Sequence, residues 1–545
     1  MNKRIKKIML IYPPLTRPSD FSTKVLRVSA FFPLGIAYLA AYLERKRTYE
    51  IRVLDALIEG DVNDGTSTDD NAYIRYGLSD KDLESRIREF APDVVGVSCL
   101  FSAMERDTAN VCSLAKKVNN DIVTIIGGTH AGMMGADMLK QYNSVDYVVT
   151  GEGEETLANI LESLQGRIDP DLFDGVVMRD GSGIRDFPKK KYIEKLDDLP
   201  VPARHLFPMR KYFEDAAPHS TYKNTPYTQM ITSRGCPCKC NFCALGNHWG
   251  PRQRRRSALS VLDEIGHLID TYGVKEIHFE DDNLTANKKR ALDIFNGIIE
   301  RGYDISWNVP SGMAVYTLDE ELLVKMKASG CYSISLAIES GNQRVVRELM
   351  NKPVNLKVVP GLVRKIREVG MEVRGFFILG YPDETKETVR ETVEFAKSLE
   401  LDWAYFYIAS PIPHTKMYEV CIEKKYIKPE DFDPVRNLNK SIIRTPELSP
   451  EYLTGVREEA IIDINFRNNP NLLKYDIDKA IEHFREVVKR YPHFDFANFY
   501  LGEAYLKKKD RENALRSYRN TLVANPSHVG ARKRLHDLND SDVLM

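Results

Sequence analysis

Short apolar runs recur through the first third of the chain, separated by stretches with helical periodicity. The runs are IMLIY at 8–12, IRVLDAL at 51–57, VVGVSCL at 94–100, IVTIIGG at 122–128 and VDYVVTG at 145–151. Buried parallel strands joined by helices give this alternation. The pattern therefore predicts a doubly wound, Rossmann-like α/β domain over residues 1–185, with any ligand outside the carboxyl ends of its strands.

A second series of strands and helices begins after a proline-rich stretch, LDDLPVPARHLFP, in a predicted linker at 186–225. The predicted strands are at 227–233, 276–281, 305–309, 333–339, 372–380 and 403–410. Helical segments separate them, so the pattern predicts a partial (β/α)6 barrel over residues 226–415. The active face of such a barrel lies at the carboxyl ends of its strands.

The rest of the chain is predicted to be all-α. A connecting segment at 416–450 leads to a helical domain at 451–545, in which similar residues recur at a spacing of 34. The recurring pairs are Ala480 and Ala514, Phe484 and Tyr518, and Pro492 and Pro526. This spacing resembles the tetratricopeptide repeat, with Gly502 and Tyr505 at two further repeat positions. A helical lid with a purely structural role is the alternative.

Charge and length narrow the class of protein. The 545 residues include 77 Lys and Arg against 78 Asp and Glu. A nucleic-acid-binding protein would be expected to have a surplus of basic residues, so this balance argues against that class. The basic cluster of Arg252, Arg254, Arg255 and Arg256 is predicted to be a solvated loop. The N-terminal apolar run ends at Pro13, too early for a signal sequence, and no uninterrupted apolar stretch of about 18 residues occurs. A cytoplasmic protein without a transmembrane segment is expected.

Four of the eight cysteines lie in the run GCPCKCNFC at 235–243. Cys236, Cys240 and Cys243 have the spacing C-x3-C-x2-C. Three thiolates from one tight loop suit a soft metal and predict a 4Fe-4S cluster whose fourth iron is open to a ligand. A structural zinc site that also uses Cys238 is the alternative, although zinc usually takes its ligand pairs from separate turns. An open cluster implies reducing, oxygen-poor surroundings.

The cysteine loop follows the first barrel strand, and further residues in barrel order resemble the radical S-adenosylmethionine superfamily. Glu280, Asp281 and Asp282 end the second strand, where that family binds the ammonium group of the methionine moiety. Ser335 and Glu339 lie on the fourth strand, where the family hydrogen-bonds the ribose. The resemblance therefore implies that S-adenosylmethionine binds at the open iron.

Two later segments extend this resemblance. The run GFFILGYP at 375–382, which contains Gly380, resembles the fifth-strand segment that packs against adenine. The run SPIPHT at 410–415 resembles the sixth-strand loop, but His414 stands where that family usually has glycine. A difference in the local backbone conformation, or in a substrate contact, is therefore expected at His414.

Residues at the strand ends of the first domain resemble the cobalamin-binding domain of corrinoid enzymes. They are Asp55, Gly60, Ser98, Leu100, Gly127, Gly128, Thr129 and His130. That family usually has a histidine two residues after the aspartate, where this chain has Leu57. The resemblance implies a corrinoid without a histidine below its cobalt, and His130 is expected near the corrin edge or at a helix start. A flavodoxin-like domain that keeps its glycines for packing alone is the alternative.

A corrinoid domain ahead of such a barrel resembles the cobalamin-dependent class of radical S-adenosylmethionine enzymes, over residues 1–415. The resemblance implies methyl transfer to an unactivated carbon through a 5′-deoxyadenosyl radical, with cobalamin, S-adenosylmethionine and a 4Fe-4S cluster as cofactors. Radical ring formation, rearrangement or carbon–carbon coupling is the first alternative, and a non-catalytic iron–sulfur scaffold is the second. Expected partners are a small-molecule or lipid-like substrate, an external electron donor such as flavodoxin or ferredoxin, and a protein at the helical repeats.

Overall fold

The computed structural model describes residues 4–19, 30–67, 72–181, 183–214, 221–428 and 441–538. Parts of the predicted linker (215–220), connecting segment (429–440) and helical domain (539–545) lie outside the described residues. Within the described ranges, no helix is both long and apolar enough to cross a bilayer.

The described residues of the first domain form ten strands. They are β1 (Lys7–Tyr12), β2 (Leu15–Pro18), β3 (Glu50–Asp55), β4 (Asp61–Ser67), β5 (Tyr73–Gly77), β6 (Val94–Ser98), β7 (Val123–Gly127), β8 (Tyr147–Val149), β9 (Val176–Asp180) and β10 (Gly183–Phe187). The main sheet has the order β10-β9-β8-β7-β6-β1-β3. The chain reverses direction across the sheet between β1 and β6, which opens a crevice at their carboxyl ends.

All five strands predicted for this domain are present and parallel to one another. Two features were not predicted: β9 and β10 extend the sheet as antiparallel strands, and β2, β5 and β4 form a small antiparallel sheet. The helices of the domain are α1 (Leu34–Glu44), α2 (Asp80–Phe90), α3 (Glu105–Val118), α4 (Thr129–Gln141), α5 (Glu154–Leu164) and α6 (Met209–Glu214).

Helix α2 shows how local sequence sets these elements. The Ser79 side chain accepts a hydrogen bond from the N–H of Asp82 and so caps the helix. Leu83, Ile87 and Phe90 are buried at helical spacing, so one stripe of the helix packs on the sheet.

The predicted linker is only partly a linker. Ala203, Phe207, Met209 and Tyr212 are buried in the hydrophobic core of the first domain. Residues of this stretch therefore belong to the first domain structurally, which its proline-rich composition did not indicate.

The six strands predicted for the second domain are also present. Its strands are β11 (Tyr227–Met230), β12 (Ser233–Arg234), β13 (Arg254–Arg255), β14 (Glu276–Phe279), β15 (Ser306–Asn308), β16 (Ser333–Glu339), β17 (Glu372–Leu379) and β18 (Trp403–Ile408). Two three-stranded parallel sheets, β11-β14-β15 and β16-β17-β18, are joined by bridges from Trp307 to Cys331 and from Met313 to Leu336. We call these six parallel strands the six-strand unit; β12 and β13 form a separate hairpin.

Helices cover one face of the six-strand unit. They are α8 (Ala258–Tyr272), α9 (Lys288–Glu300), α10 (Glu320–Ala328), α11 (Val359–Glu368) and α12 (Lys386–Ser398). Two further helices of this domain are α7 (Leu245–Trp249), after the cysteine loop, and α13 (Lys416–Glu423), which packs in a separate apolar cluster. Phe279, Trp307, Leu336 and Phe377 lie in the apolar core beneath helices α8 to α12. The alternate residues of the same strands therefore face the opposite side, where the candidate site lies.

The C-terminal part is helical, as predicted. Its helices are α14 (Pro450–Ile462), α15 (Pro470–Leu473), α16 (Ile477–Arg490), α17 (Asp495–Lys507), α18 (Arg511–Ala524) and α19 (Val529–Asp537), with a π-helical turn at Asp463–Arg467. Ala480, Ala514, Phe484 and Tyr518, the residues of two recurring pairs, are all fully buried. Their assignment to a tetratricopeptide repeat stays a prediction.

The C-terminal part packs on the edge of the six-strand unit. Among the described strands, β18 pairs only with β17. The side chain of Asn465 accepts a hydrogen bond from the N–H of Ala404 at 2.7 Å and donates one to its carbonyl at 2.8 Å. This amide satisfies the strand edge as a neighbouring strand would.

Candidate functional site

The cysteine loop lies at the carboxyl end of the six-strand unit, between β11 and α7. The side chain of Asn241 donates to the carbonyl of Leu349 at 2.7 Å, and its backbone N–H donates to the carbonyl of Met350 at 2.9 Å. Both carbonyls come after β16 in the chain. The loop is therefore held at the carboxyl ends of two strands, on the predicted active face.

All four cysteines of the loop are partly exposed free thiols; the buried ones are Cys99, Cys112, Cys331 and Cys421. The Asn283 amide nitrogen lies 3.8 Å from the sulfur of Cys236. The sulfur of Cys238 lies 3.3 Å from the hydroxyl of Tyr316. A hydrogen bond with Cys238 and the positive charge of Lys352 lower the pKa of Cys240.

Accessible thiols in one short loop beside a cation form a donor set that fits an iron–sulfur cluster. Among the described residues, no three His, Cys, Asp or Glu side chains converge on a point suited to a single metal ion. A cubane binds its thiolates through separate irons, so it does not require that convergence.

Two of the three acidic residues after β14 accept hydrogen bonds from the chain that leads into the cysteine loop. Both oxygens of the buried Asp281 carboxylate accept hydrogen bonds from Thr232, from its N–H at 3.0 Å and from its hydroxyl at 2.7 Å. The Asp282 carboxylate accepts a bond from the N–H of Gly235 at 3.0 Å, and burial raises the pKa of Asp282 to about 7. Both aspartates thus brace the chain just before Cys236, a role that the sequence did not indicate.

Glu339 ends β16 beside the cysteine loop. Its carboxylate lies 2.7 Å from the ammonium group of Lys352, with both side chains largely buried. Lys352 also lies 5.8 Å from the centre of the Phe242 ring, inside the loop. Glu339 has a φ of 71°, a left-handed conformation uncommon for a residue other than glycine. Ser335 lies on the same strand, on the face away from the helices.

Three aromatic side chains line the face of β17 and β18 away from the helices, and we call them the aromatic wall: Phe376, Tyr405 and Tyr407. The ring of Phe376 lies 5.4 Å from that of Tyr405 and 6.0 Å from that of Tyr407. Tyr407 is 49% exposed, yet burial raises its pKa to about 12. The Tyr407 ring is therefore packed against neighbouring rings and still accessible to a ligand.

The loop before Tyr316 connects the aromatic wall to the cysteine loop. A side chain at Gly312 would come within 2.8 Å of the Phe376 ring, so only glycine lets the backbone pass this close. Four residues later, Tyr316 contacts Cys238. The wall and the cysteines therefore border one continuous site.

Two further predicted positions have structural explanations. A side chain at Gly380 would lie 2.4 Å from Leu453 of α14, and the φ of Gly380 is 79°. Glycine is thus required there by helix packing. His414 has a φ of 61°, a left-handed conformation that is uncommon for a residue other than glycine. Its carbonyl accepts a hydrogen bond from Asn247 at 2.9 Å, which ties the sixth-strand loop to α7.

In the first domain, Asp55 and Gly60 stabilise the turn that follows β3. The buried Asp55 carboxylate accepts hydrogen bonds from the N–H groups of Leu57 and Ile58, both at 3.0 Å, and from the hydroxyl of Tyr212. A side chain at Gly60 would overlap the backbone of Gly77 at 2.1 Å. Tyr212 was missed because it belongs to the stretch predicted as a linker.

Segments 98–100 and 127–130 lie side by side at the carboxyl ends of β6 and β7. Ser98 is in register with Gly127, and the carbonyl of Leu100 accepts a bond from the N–H of His130 at 3.3 Å. At Gly127, an added methyl group would meet only Val149, at 3.5 Å, and we call this open stretch of backbone the floor. Thr129 begins α4 just beyond these glycines.

His130 lies near the start of α4, as predicted, and is buried. Its Nδ1 lies 2.9 Å from the hydroxyl of Ser102, and its Nε2 lies 2.7 Å from the carboxylate of Glu105. Both ring nitrogens are engaged, so neither is presented to a metal in this conformation.

The prediction of a solvated basic loop was wrong for two of its four arginines. Arg254 and Arg256 are each 7% exposed. Arg254 pairs with Glu152 and Arg256 with Glu264, each inside the protein. Buried guanidinium groups persist because carboxylates compensate their charge. Glu152 lies 102 residues before Arg254, whereas Glu264 follows Arg256 by 8 residues.

Two family models match the chain. The B12 binding domain matches residues 27–161, and the Radical SAM superfamily matches residues 230–396. The first covers strands β3 to β8 of the first domain, and the second covers the cysteine loop and most of the six-strand unit.

Curated relatives match over most of their length. Cytidylyl-2-hydroxyethylphosphonate methyltransferase of Streptomyces wedmorensis is 36% identical over 474 residues, covering 82% of this chain and 87% of the relative. An uncharacterized methyltransferase of Pyrococcus horikoshii is 31% identical over 487 residues, covering 89% of this chain and 97% of the relative.

Solved structures share the fold. The methyltransferase TsrM from Kitasatospora setae, with cobalamin and a [4Fe-4S] cluster bound, matches with a TM-score of 0.60 at 18% identity, over 77% of this chain and 75% of that one. The enzyme OxsB, with aqua-cobalamin and S-adenosylmethionine bound, matches with a TM-score of 0.65 at 13% identity, over 98% and 83%.

Proposed function

The chain belongs to the cobalamin-dependent radical S-adenosylmethionine methyltransferases, and we propose that it methylates an unactivated carbon of a small-molecule substrate bound between the cysteine loop and the first domain. Its cofactors are cobalamin, S-adenosylmethionine and a 4Fe-4S cluster. Together these cofactors supply a carbon-centred radical that removes a hydrogen atom and a methyl group that replaces it. The protein's part is to hold the cofactors, to orient the substrate and to enclose the radical.

We propose that Cys236, Cys240 and Cys243 hold the cluster. Their spacing and their partly exposed thiols support this assignment. The contact of Cys238 with Tyr316 supports leaving that thiol outside the ligand set. Lys352 contributes a positive charge that offsets the thiolates.

For S-adenosylmethionine, we propose contacts from Glu280, Asp282, Ser335 and Glu339. Asp281 is proposed to support these residues without contacting the cofactor, because both of its carboxylate oxygens accept hydrogen bonds from Thr232 before the cysteine loop. Gly380 contributes by letting the fifth-strand segment run close to α14. The six-strand unit then serves as the partial barrel, with its carboxyl ends toward the cofactor.

For cobalamin, we propose that Ser98, Leu100, Gly127, Gly128 and Thr129 border the corrinoid. The open backbone of the floor at Gly127 supports this assignment. Asp55 and Gly60 shape the turn beside it. Leu57 occupies the usual place of the lower histidine and cannot ligate cobalt, and the engaged nitrogens of His130 argue against a substitute.

The substrate is proposed to present a planar ring to the aromatic wall. Stacking on tyrosine and phenylalanine recognises such rings without a fixed hydrogen-bond pattern. The relative from Streptomyces wedmorensis acts on a cytidylyl compound, which carries a planar base. A cytidylyl phosphonate is therefore the first substrate to test.

Electrons are proposed to come from an external one-electron donor such as flavodoxin or ferredoxin, because reductive splitting of S-adenosylmethionine consumes an electron that the protein's side chains do not supply. A reducing, oxygen-poor cytoplasm suits an open cluster. We propose that the C-terminal helices are a tetratricopeptide-like module that braces β18; the contact of Asn465 with Ala404 supports the bracing role.

The observation that carries the proposal is the loop of partly exposed thiols at the carboxyl ends of the strands. The test compares Cys236→Ala, Cys240→Ala and Cys243→Ala with Cys238→Ala after anaerobic reconstitution. Each of the first three is expected to lose most iron and sulfide and all 5′-deoxyadenosine formation, whereas Cys238→Ala retains both. A scaffold would make no 5′-deoxyadenosine even in the parent, and equal losses in all four variants would contradict the assignment.

A further inference from the structure

A buried group of four charged side chains joins the first domain to the cysteine loop: Arg234, Arg254, Glu152 and Glu154. We propose that this quartet fixes the position of the cluster relative to the cobalamin. The inference rests on the proposed function, because it assigns one cofactor to each side of the quartet.

The quartet is closely bonded. The Glu152 carboxylate lies 2.8 Å from the guanidinium of Arg234 and 2.6 Å from that of Arg254. Arg234 also pairs with Glu154. All four side chains are at most 6% exposed, so solvent does not screen these contacts.

The quartet links the first domain to the start of the cysteine loop. Arg234 ends β12, two residues before Cys236. Glu152 lies between β8 and α5, and Glu154 begins α5, in the domain matched by the B12-binding model. A displacement of this part of the first domain therefore acts on the first residues of the cysteine loop.

Aromatic rings hold the Arg234 guanidinium in one orientation. Its central carbon lies 5.3 Å from the Tyr38 ring centre and 5.1 Å from the Trp249 ring centre. Tyr38 belongs to α1 of the first domain, and Trp249 ends α7 after the cysteine loop. Arg234 is thus clamped by both parts of the protein.

Two positive and two negative charges balance in the quartet. Burying them costs desolvation energy, so the group is a weak source of stability. Its hydrogen bonds are directional, however, and removing one member leaves an uncompensated charge. Such a group favours one relative placement of its two sides over a slightly displaced one.

Placement matters to this reaction because hydrogen removal and methyl delivery must occur at the same carbon. Small displacements of reacting groups lower rates steeply. Arg234 and Glu152 are therefore proposed as positioning residues, which touch neither substrate nor cofactor.

The test measures the distance between the two cofactors directly. In protein loaded with cob(II)alamin and the reduced cluster, the magnetic dipolar coupling between the two unpaired spins reports their separation and needs no substrate. Arg234→Lys and Glu152→Gln are compared with the parent. The matched control is Arg367→Lys, because Arg367 also pairs with a buried carboxylate, Asp402, and lies over a ring, that of Tyr475, but away from this junction.

Both quartet variants are expected to retain cobalamin and iron near parent amounts, with a shifted coupling or a distance distribution at least twice as broad. The control should match the parent. If Arg234→Lys does not fold, Glu152→Gln decides, since it leaves the pair of Arg234 and Glu154 in place. Unchanged coupling in the folded variants would overturn the inference. A parent that holds neither spin would overturn the proposed function, and this inference with it.

Discussion

Two neighbouring glycines at the end of β7 have different surroundings, and this makes them separable by mutation. At Gly127, an added methyl group meets only Val149 at 3.5 Å; at Gly128, with a φ of 117°, it would come within 2.7 Å of the carbonyl oxygen of Cys99. The fold therefore accepts alanine at Gly127 and not at Gly128.

Gly127→Ala is expected to change the free energy of unfolding by less than about 0.5 kcal/mol while weakening hydroxocobalamin binding at least about tenfold, which corresponds to about 1.4 kcal/mol. The physical reason is that the methyl group fills the floor on which the corrinoid is proposed to lie. An absorbance titration measures the binding. Gly35→Ala, at a position with nothing within 4 Å, is the control. Parent-like binding by Gly127→Ala would remove Gly127 from the site.

Glu384 provides a pH-dependent contribution to stability. Its buried carboxylate accepts a hydrogen bond from the N–H of Tyr381 at 2.8 Å, and burial raises its pKa from 4.5 to about 7. The folded state therefore binds a proton that the unfolded state has released between these pH values. Stability from this group is present below about pH 4.5 and is lost as pH rises toward 7.

We expect urea unfolding of the parent to show a loss of up to about 3 kcal/mol between pH 4.5 and 7.5 from this group. Glu384→Gln, which cannot ionise, should lack that part of the slope. Glu300→Gln at an exposed position is the control and should follow the parent. Parallel profiles for the parent and Glu384→Gln would refute the assignment.

At single positions, the sequence predicts those site residues that belong to a pattern of close spacing. The cysteine triplet and the paired glycines are local patterns, and the structure places both at strand ends. The bond of Asp281 to Thr232 spans 49 residues, and that of Arg254 to Glu152 spans 102. No local pattern reports such partners, so the brace of the cysteine loop and the burial of Arg254 could not be predicted.

Among the elements, the edge strand β18 depends on one side chain from the C-terminal part. Asn465 is 1% exposed and makes two hydrogen bonds to the backbone of the buried Ala404. Removing its amide leaves a buried N–H and a buried carbonyl without their partner, and each such group costs about 1–3 kcal/mol.

Asn465→Ala is therefore expected to lower the free energy of unfolding by about 2–4 kcal/mol, measured by denaturant titration. Asn520→Ala, at an exposed site on α18, should stay within about 0.5 kcal/mol of the parent. A loss below about 1 kcal/mol in Asn465→Ala would mean that water can replace the amide at the strand edge.

Element prediction succeeded where apolar residues form runs of strand length. All eleven predicted strands are present because each has such a run between helical segments. The antiparallel β9 and β10 carry exposed polar residues, as in MRD at 178–180 and IRDF at 184–187, and give no such signal. Prolines in 186–225 predict a linker, but they do not report that Phe207 and Tyr212 pack into the first domain.

Across the whole molecule, the first domain and the six-strand unit keep separate apolar cores. Buried polar contacts join them, such as the bond from the N–H of Phe32 to Gln229 at 3.2 Å and the pair of Arg204 and Glu264 at 2.8 Å. A junction built from directional contacts fixes a geometry more than it adds stability. This suits an enzyme in which two cofactors act on one carbon.

The most direct test of methyl transfer counts both products of S-adenosylmethionine in one anaerobic reaction. The reconstituted protein is given a reductant, S-adenosylmethionine with a deuterated methyl group, and cytidylyl-2-hydroxyethylphosphonate. Methyl transfer predicts S-adenosylhomocysteine and 5′-deoxyadenosine in similar amounts, together with a product that has gained the labelled methyl group. Formation of 5′-deoxyadenosine with a changed but unlabelled product, and without S-adenosylhomocysteine, would contradict the account.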